Sequence, residues 1–387
     1  MASGARTKSV GRIVTITLST LLVLAGLGSY VLTHDTTTTT TTSSTSTTTT
    51  TTVPLERAVA GWRVASSSPR GVMVDFRDFN VGGAVFRALR LRARTTLLRW
   101  HIGSVDPPTA PRQVPVDAGP AIFWPSEGLA GVVAVFNGGF KKAGGGGGAA
   151  VDGVTLEPLV RGYMTIAIDA AGHWSMGVWG SASFPAPGFD PVALRQNLPP
   201  LVLGGHLTPA ARSKNWQAWG SPLNNVPLVA RTGLGVDAKG NLVYVGTMTG
   251  VSATQVGEAL IRAGAVSGME LDMNPYWPIM GASFTPLHAS GGTFPVQLPF
   301  SEHNPSIYET GWQRDFFVAM AEPGSWGCEW RSRGLTPGVS GAQAQRLVLV
   351  GRGCRSVSST TTTTSPSTTT SVAGTSSTTT SSAPSGS

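Results

Sequence analysis

Residues 230–277 read ARTGLGVDAKGNLVYVGTMTGVSATQVGEALIRAGAVSGMELDMNPYW, and this stretch decides the fold. Leu234–Val236 and Leu242–Val245 are short apolar, β-rich runs, and the Asp237-Ala-Lys-Gly-Asn segment between them is hairpin chemistry. Ser252 then offers a helix N-cap, with Gln255 three residues on to complete a capping box. Val256, Ala259, Leu260 and Ala263 keep helical spacing, and Gly264 stands where a helix commonly ends. Val266–Leu271 reads as a strand covered on both faces, delivering Glu270 and Asp272 at its C-terminal end.

Side chains two apart on a strand share a face, their Cα atoms about 6.6 Å apart at the usual rise per residue. Two carboxylates that close can hold different pKa values, which acid/base cleavage of a glycosidic bond requires. The alternative reading is that one of the two is a rim charge or caps the next turn.

Working outward, the chain ends differ in kind from its middle. Residues 1–12 carry Arg6, Lys8 and Arg12 and no acid, and residues 13–33 are an apolar run long enough to span a bilayer. That pattern predicts a basic cytoplasmic tail followed by a single membrane anchor, or a cleaved signal, with everything after it exported. Residues 34–52 and 356–387 are Thr/Ser-rich segments that cannot bury a core and are expected to be disordered. A folded domain is therefore expected over 53–322, with a C-terminal segment, 323–355, holding both cysteines. In an exported chain Cys328 and Cys354 are expected to pair, a closure contributing about 3.5 kcal/mol on the chain-entropy account.

The net charge of +8 does not imply a nucleic-acid partner, because the sequence has neither a recognition helix nor an RNP-type motif. The alternating row Arg90-Leu-Arg-Ala-Arg94 reads as a solvated strand face or a guarded sheet edge. Before the central stretch, Val132–Phe136 forms a buried strand that runs into Asn137, Gly138 and Gly139, where something approaches the backbone closely. Lys141, Lys142 and the run Gly144–Gly148 follow, a loop read as a lid or as a mobile connection rather than as a phosphate cradle. Leu201–Gly205 is another strand meeting a glycine pair. Asp152, Glu157 and Asp272 could ligate a divalent cation but form no loop signature, so the cofactor is unknown.

Four features occur in one order: FNGGF at Phe136–Phe140, LVLGG at Leu201–Gly205, ARTGLGVDAKGNL at Ala230–Leu242, and a helix leading into GMELD at Gly268–Asp272. Over 132–283 that set resembles the phosphodiester glycosidase domain, the family typified by the lysosomal uncovering enzyme, with many bacterial exported members. The resemblance implies a mixed α+β, sheet-rich single domain with a few packed helices. It also implies an enzyme that removes a sugar from a sugar-1-phosphate diester. Carried over, Asn137 and Gly138 match the strand-end asparagine–glycine, Arg231 and Thr232 the arginine–threonine pair, and Asp272 the aspartate. Arg231 would then grip phosphate, Asp272 act at the sugar carbon, Asn137 orient a hydroxyl, and Glu270 serve as an acid partner.

One departure stands out. Where the family continues Asn-Leu-Asp-Gly-Gly-Gly-Ser, this chain reads Glu270-Leu-Asp-Met-Asn274-Pro-Tyr276-Trp277. The expectation is an extracytoplasmic hydrolase of altered specificity, acting on a glycan or sugar-phosphate polymer of the envelope or an exopolysaccharide, with Gly139, Thr232, Asn274, Tyr276 and Trp277 contacting substrate. The alternative is a non-catalytic glycan-binding or wall-spanning module that uses Tyr276 and Trp277 as a stacking platform.

Overall fold

The structure, a computed structural model, describes residues 61–107, 114–323, 329–333 and 346–350. The expected N-terminal span, both Thr/Ser-rich segments and the Cys328–Cys354 pairing lie outside them. Among the described residues no helix is long and apolar enough to cross a membrane.

Four strands come first: β1 (Arg63–Ser68), β2 (Gly71–Val81), β3 (Ala84–Leu91) and β4 (Thr96–His101). After α1 (Trp124–Ala130) follow β5 (Val132–Asn137), β6 (Ala149–Val151), β7 (Val154–Glu157), β8 (Met164–Asp169), β9 (Trp174–Val178) and β10 (Pro191–Gln196). β11 (Val202–Leu203) and β12 (His206–Leu207) precede α2 (Pro209–Arg212). β13 (Val229–Asp237) and β14 (Leu242–Val251) lead through α3 (Ala253–Arg262) into β15 (Ala265–Met273). Then come β16 (Met280–Leu287), β17 (Val296–Gln297), α4 (Ile307–Thr310) and β18 (Phe316–Ala321), and finally the pair β19 (Glu329–Arg333) and β20 (Arg346–Val350).

These strands form an eight-stranded sheet in the order β1-β2-β3-β14-β13-β15-β11-β12 and two five-stranded sheets, β7-β6-β10-β8-β9 and β17-β16-β5-β18-β4. The sheet-rich character expected from the sequence is present, and α1 and α3 are the only described helices longer than four residues. Every described strand pair is antiparallel, so short local turns rather than helical crossovers make most of the connections.

The central stretch folds as its residues dictate. β13 and β14 pair with Val236 opposite Leu242, and Asp237 Oδ1 accepts the amides of Lys239 and Asn241 to close the turn. The Ser252–Gln255 capping box is formed in both directions. Val256, Ala259 and Leu260 are wholly buried against the eight-stranded sheet. The helix sits so close that a Cβ on Gly233 would lie 2.6 Å from Val256 Cγ1, which is why a strand glycine is used there. Truncating Leu260 would cost about 2–5 kcal/mol, the usual range for emptying a packed leucine site.

Two expectations are overturned. Arg90 and Arg92 are buried, not solvated: both guanidinium groups reach Asp75 Oδ2, at 2.6 and 2.7 Å, and β3 lies inside the sheet between β2 and β14 rather than at an edge. The glycine run after Lys142 is buried in its second half, at Gly147 and Gly148, while Gly145 is exposed. The amides of Gly144 and Gly146 donate to Lys141 O, that of Gly145 to Lys142 O, and that of Gly148 to Gln196 Oε1. A Cβ on Gly148 would meet Leu159 Cα at 2.5 Å, so absent side chains here permit chain-against-chain packing.

Candidate functional site

The ends of three sheets meet at one place. The amide of Asp272, near the end of β15, donates to Gly138 O just past β5 at 2.9 Å, joining the eight-stranded sheet to a five-stranded one. β18 pairs with β5 so that Phe316 faces Asn137, which sets Arg314 and Asp315 beside Gly138 and Gly139. Arg195 reaches in from β10, its Nε donating to Asp315 Oδ2 at 2.8 Å. The two glycines are required by this crossing: a Cβ on Gly138 would lie 2.1 Å from Asp315 Oδ2, and one on Gly139 would lie 2.9 Å from Arg195 Nη2. What approaches the backbone here is therefore the protein's own ion pair.

A cleft opens beside this crossing, lined by Phe140, Lys141, Gly144, Ser221, Asp272, Met273, Asn274, Trp277 and Arg314. Asp272 Oδ1 accepts the amide of Met273, while Oδ2 lies 2.8 Å from Arg314 Nη2 but outside hydrogen-bonding geometry and without any other bond. Arg314 also reaches Asp106 Oδ2 at 3.2 Å and Gly139 O at 3.1 Å, and its guanidinium carbon lies 5.3 Å from the Trp277 ring centre. Its Nε is buried without a partner. Two residues of the cleft lining thus each keep a buried polar atom, one donor and one acceptor, without a hydrogen bond, and each is costly to leave unmade. Burial pushes the Asp272 carboxyl up to about 7, against the pull of Arg314 and the Met273 amide.

The residues singled out from sequence divide into two groups. Asp272, Asn274 and Trp277 line the cleft, and Tyr276 stands exposed beside them. Asn274 occupies a left-handed conformation, φ 78°, and its Oδ1 accepts the Leu223 amide at 2.8 Å. It fills the conformational role a glycine would take at that turn, since asparagine tolerates this region.

Asn137, Arg231, Thr232 and Glu270 stand behind the cleft rather than in it. Asn137 is buried with its amide fully used: Tyr244 Oη donates to Oδ1, and Nδ2 donates to Thr232 Oγ1, both at 2.9 Å. Thr232 in turn donates to Asp272 O at 2.7 Å. This chain holds the Asp272 backbone and leaves no amide atom of Asn137 over for a sugar hydroxyl. Arg231 is wholly buried, donating to Val251 O and Trp219 O at 3.0 Å and pairing with Glu270. Burial also pushes the Glu270 carboxyl up to about 7, against the pull of Arg231.

The two acids do not form the coupled pair that their spacing suggested. Between Arg231↔Met273 and Gly233↔Glu270 the register of β13 against β15 slips by one residue. A bulge of this kind breaks the period-two alternation. Each carboxylate is consequently served by its own guanidinium, Glu270 by Arg231 and Asp272 by Arg314.

Sequence reasoning missed Arg314 as the cation at Asp272. Its only signal was a charged Arg-Asp pair directly before the buried run Phe316–Ala319. Asp152, Glu157 and Asp272 do not assemble either. Glu157 pairs with Lys142 at 2.8 Å, and among the described residues no group of acids, histidines and cysteines could hold a metal ion.

No family model matches the chain, and no curated protein matches it. Solved structures do match, distantly. The catalytic domain of zebrafish N-acetylglucosamine-1-phosphodiester alpha-N-acetylglucosaminidase, auto-inhibited by its pro-peptide, is 14% identical with a TM-score of 0.40, over 67% of this chain and 87% of that one. A protein from Synechocystis is 11% identical with a TM-score of 0.37, over 64% and 62%. One from Burkholderia pseudomallei K96243 is 10% identical with a TM-score of 0.32, over 65% and 75%.

Proposed function

We propose that the cleft binds a sugar-phosphodiester and that Asp272 promotes hydrolysis of its glycosidic C–O bond, in an exported protein held at the cell envelope by its N-terminal span. One observation carries the reading: Asp272 and Arg314 line one small cleft, and each keeps a buried polar atom, Oδ2 and Nε, without a hydrogen bond. The anion would be held by Arg314 and Lys141, not by Arg231. A guanidinium matches phosphate oxygens in a fork, and the lysine adds a mobile charge at the rim. Asp272 would act as nucleophile or base at the anomeric carbon, with the Trp277 ring as a sugar-facing surface. A phosphate departs as a stable anion, so a second carboxylic acid in the cleft is not needed to protonate it. That agrees with Glu270 standing elsewhere.

The test is release of sugar from a panel of sugar-1-phosphate diesters by the full chain, beside Asp272→Asn and Arg314→Gln. Turnover abolished by both substitutions supports the reading; turnover that survives Asp272→Asn sinks it. The close Asp272–Arg314 approach favours a second reading, a glycan-binding module whose acid and base neutralise each other. Binding without turnover, lost in Trp277→Ala, would establish that one.

A further inference from the structure

Exposed apolar side chains stand on and next to the 274–278 turn, and the chemistry above does not use them. Leu223 and Val226 are somewhat under half exposed, at 45% and 42%, and the Leu223 amide is bonded to Asn274 Oδ1, so this loop is fastened to the cleft wall. Tyr276 is exposed on the same turn. Phe300 is 92% exposed and takes a left-handed backbone conformation, φ 64°. It is tied to that turn as well, because Ser301 Oγ donates to the carbonyl of Pro278, the residue after Trp277, at 2.7 Å. A phenylalanine held in water at a conformation it disfavours loses free energy on both counts.

Resting on the proposed anion site, we infer that the ligand is an amphiphile: a phosphate ester whose second substituent is a hydrocarbon chain lying along Leu223, Val226, Tyr276 and Phe300. Continuity argues for this occupant. The Leu223 amide and the hydroxyl of Ser301, next to Phe300, are bonded to Asn274 and Pro278, in the turn whose Asn274 and Trp277 line the cleft beside Arg314.

The probes are methyl phosphate and hexyl phosphate, with binding to the full chain followed by tryptophan fluorescence. Hexyl phosphate should bind about tenfold more tightly, the effect of burying roughly two of its methylene groups. Phe300→Asn suits the left-handed backbone, so the fold is not at risk. Combined with Leu223→Ser, it should cut the preference to less than about threefold while leaving methyl phosphate affinity unchanged. Equal affinity for the two esters, or a preference that the double variant retains, overturns the inference while the anion site stands. If neither ester binds, the anion site and this inference fall together.

Discussion

Asp272 Oδ2 lies 2.8 Å from Arg314 Nη2, yet makes no hydrogen bond to it or to anything else. The carboxylate is held electrostatically by a cation committed elsewhere, to Asp106 and to the Gly139 carbonyl. Its protonation is set by burial working against that cation.

If Asp272 acts in its charged form, kcat/KM should rise with pH through about 7 and then level, because that carboxyl is pushed up to about 7. Arg314→Gln removes the group that opposes burial and should raise the Asp272 carboxyl further, read from its protonation by infrared difference spectroscopy rather than from turnover. A rate independent of pH between 5.5 and 8.5 would exclude Asp272 as base or nucleophile.

Arg231→Met should destabilise by about 3–5 kcal/mol, since it leaves Glu270 buried without its cation. Arg231→Met with Glu270→Leu should recover much of that loss. Urea unfolding midpoints measure both. If Arg231 gripped substrate instead, the double variant would fold yet lose phosphate affinity; here it should keep that affinity within about threefold.

Stability should rise on acidification from pH 8 to about pH 5. Glu270 and Asp272 have folded-state pKa values of about 7, against 4.5 and 3.8 as ordinary values. Between those limits the folded chain binds more protons than the unfolded one, so stability falls as pH rises through that window. Glu127 and Asp78 are shifted downward, Asp78 chiefly by Arg87 and Glu127 by His101 against its burial; their contributions are lost only at lower pH. Glu270→Gln should flatten the slope, measured as the urea midpoint against pH.

Asn137→Leu should cost at least about 2 kcal/mol, because Tyr244 Oη, Thr232 Oγ1 and the Ile279 amide lose a buried partner. Since Thr232 holds the Asp272 carbonyl, turnover should fall while affinity for methyl phosphate changes little. Circular dichroism melting and the same fluorescence titration separate these effects.

The hairpin around Asp237–Asn241, the capping box at Ser252, the buried face of α3 and the acid-bearing end of β15 were all readable from the chain, because neighbours a few residues apart create them. The glycines at 138 and 139 were readable as a close approach, but not what approaches them. That answer comes from β18, whose pairing with β5 carries Arg314 and Asp315 across nearly the whole domain. Likewise, a one-residue slip between β13 and β15 sends Glu270 to Arg231 and Asp272 to Arg314. Local chemistry settles which elements form and where they stop. Which cation meets which carboxylate depends on strand register between segments remote in sequence, and no short-range pattern records it.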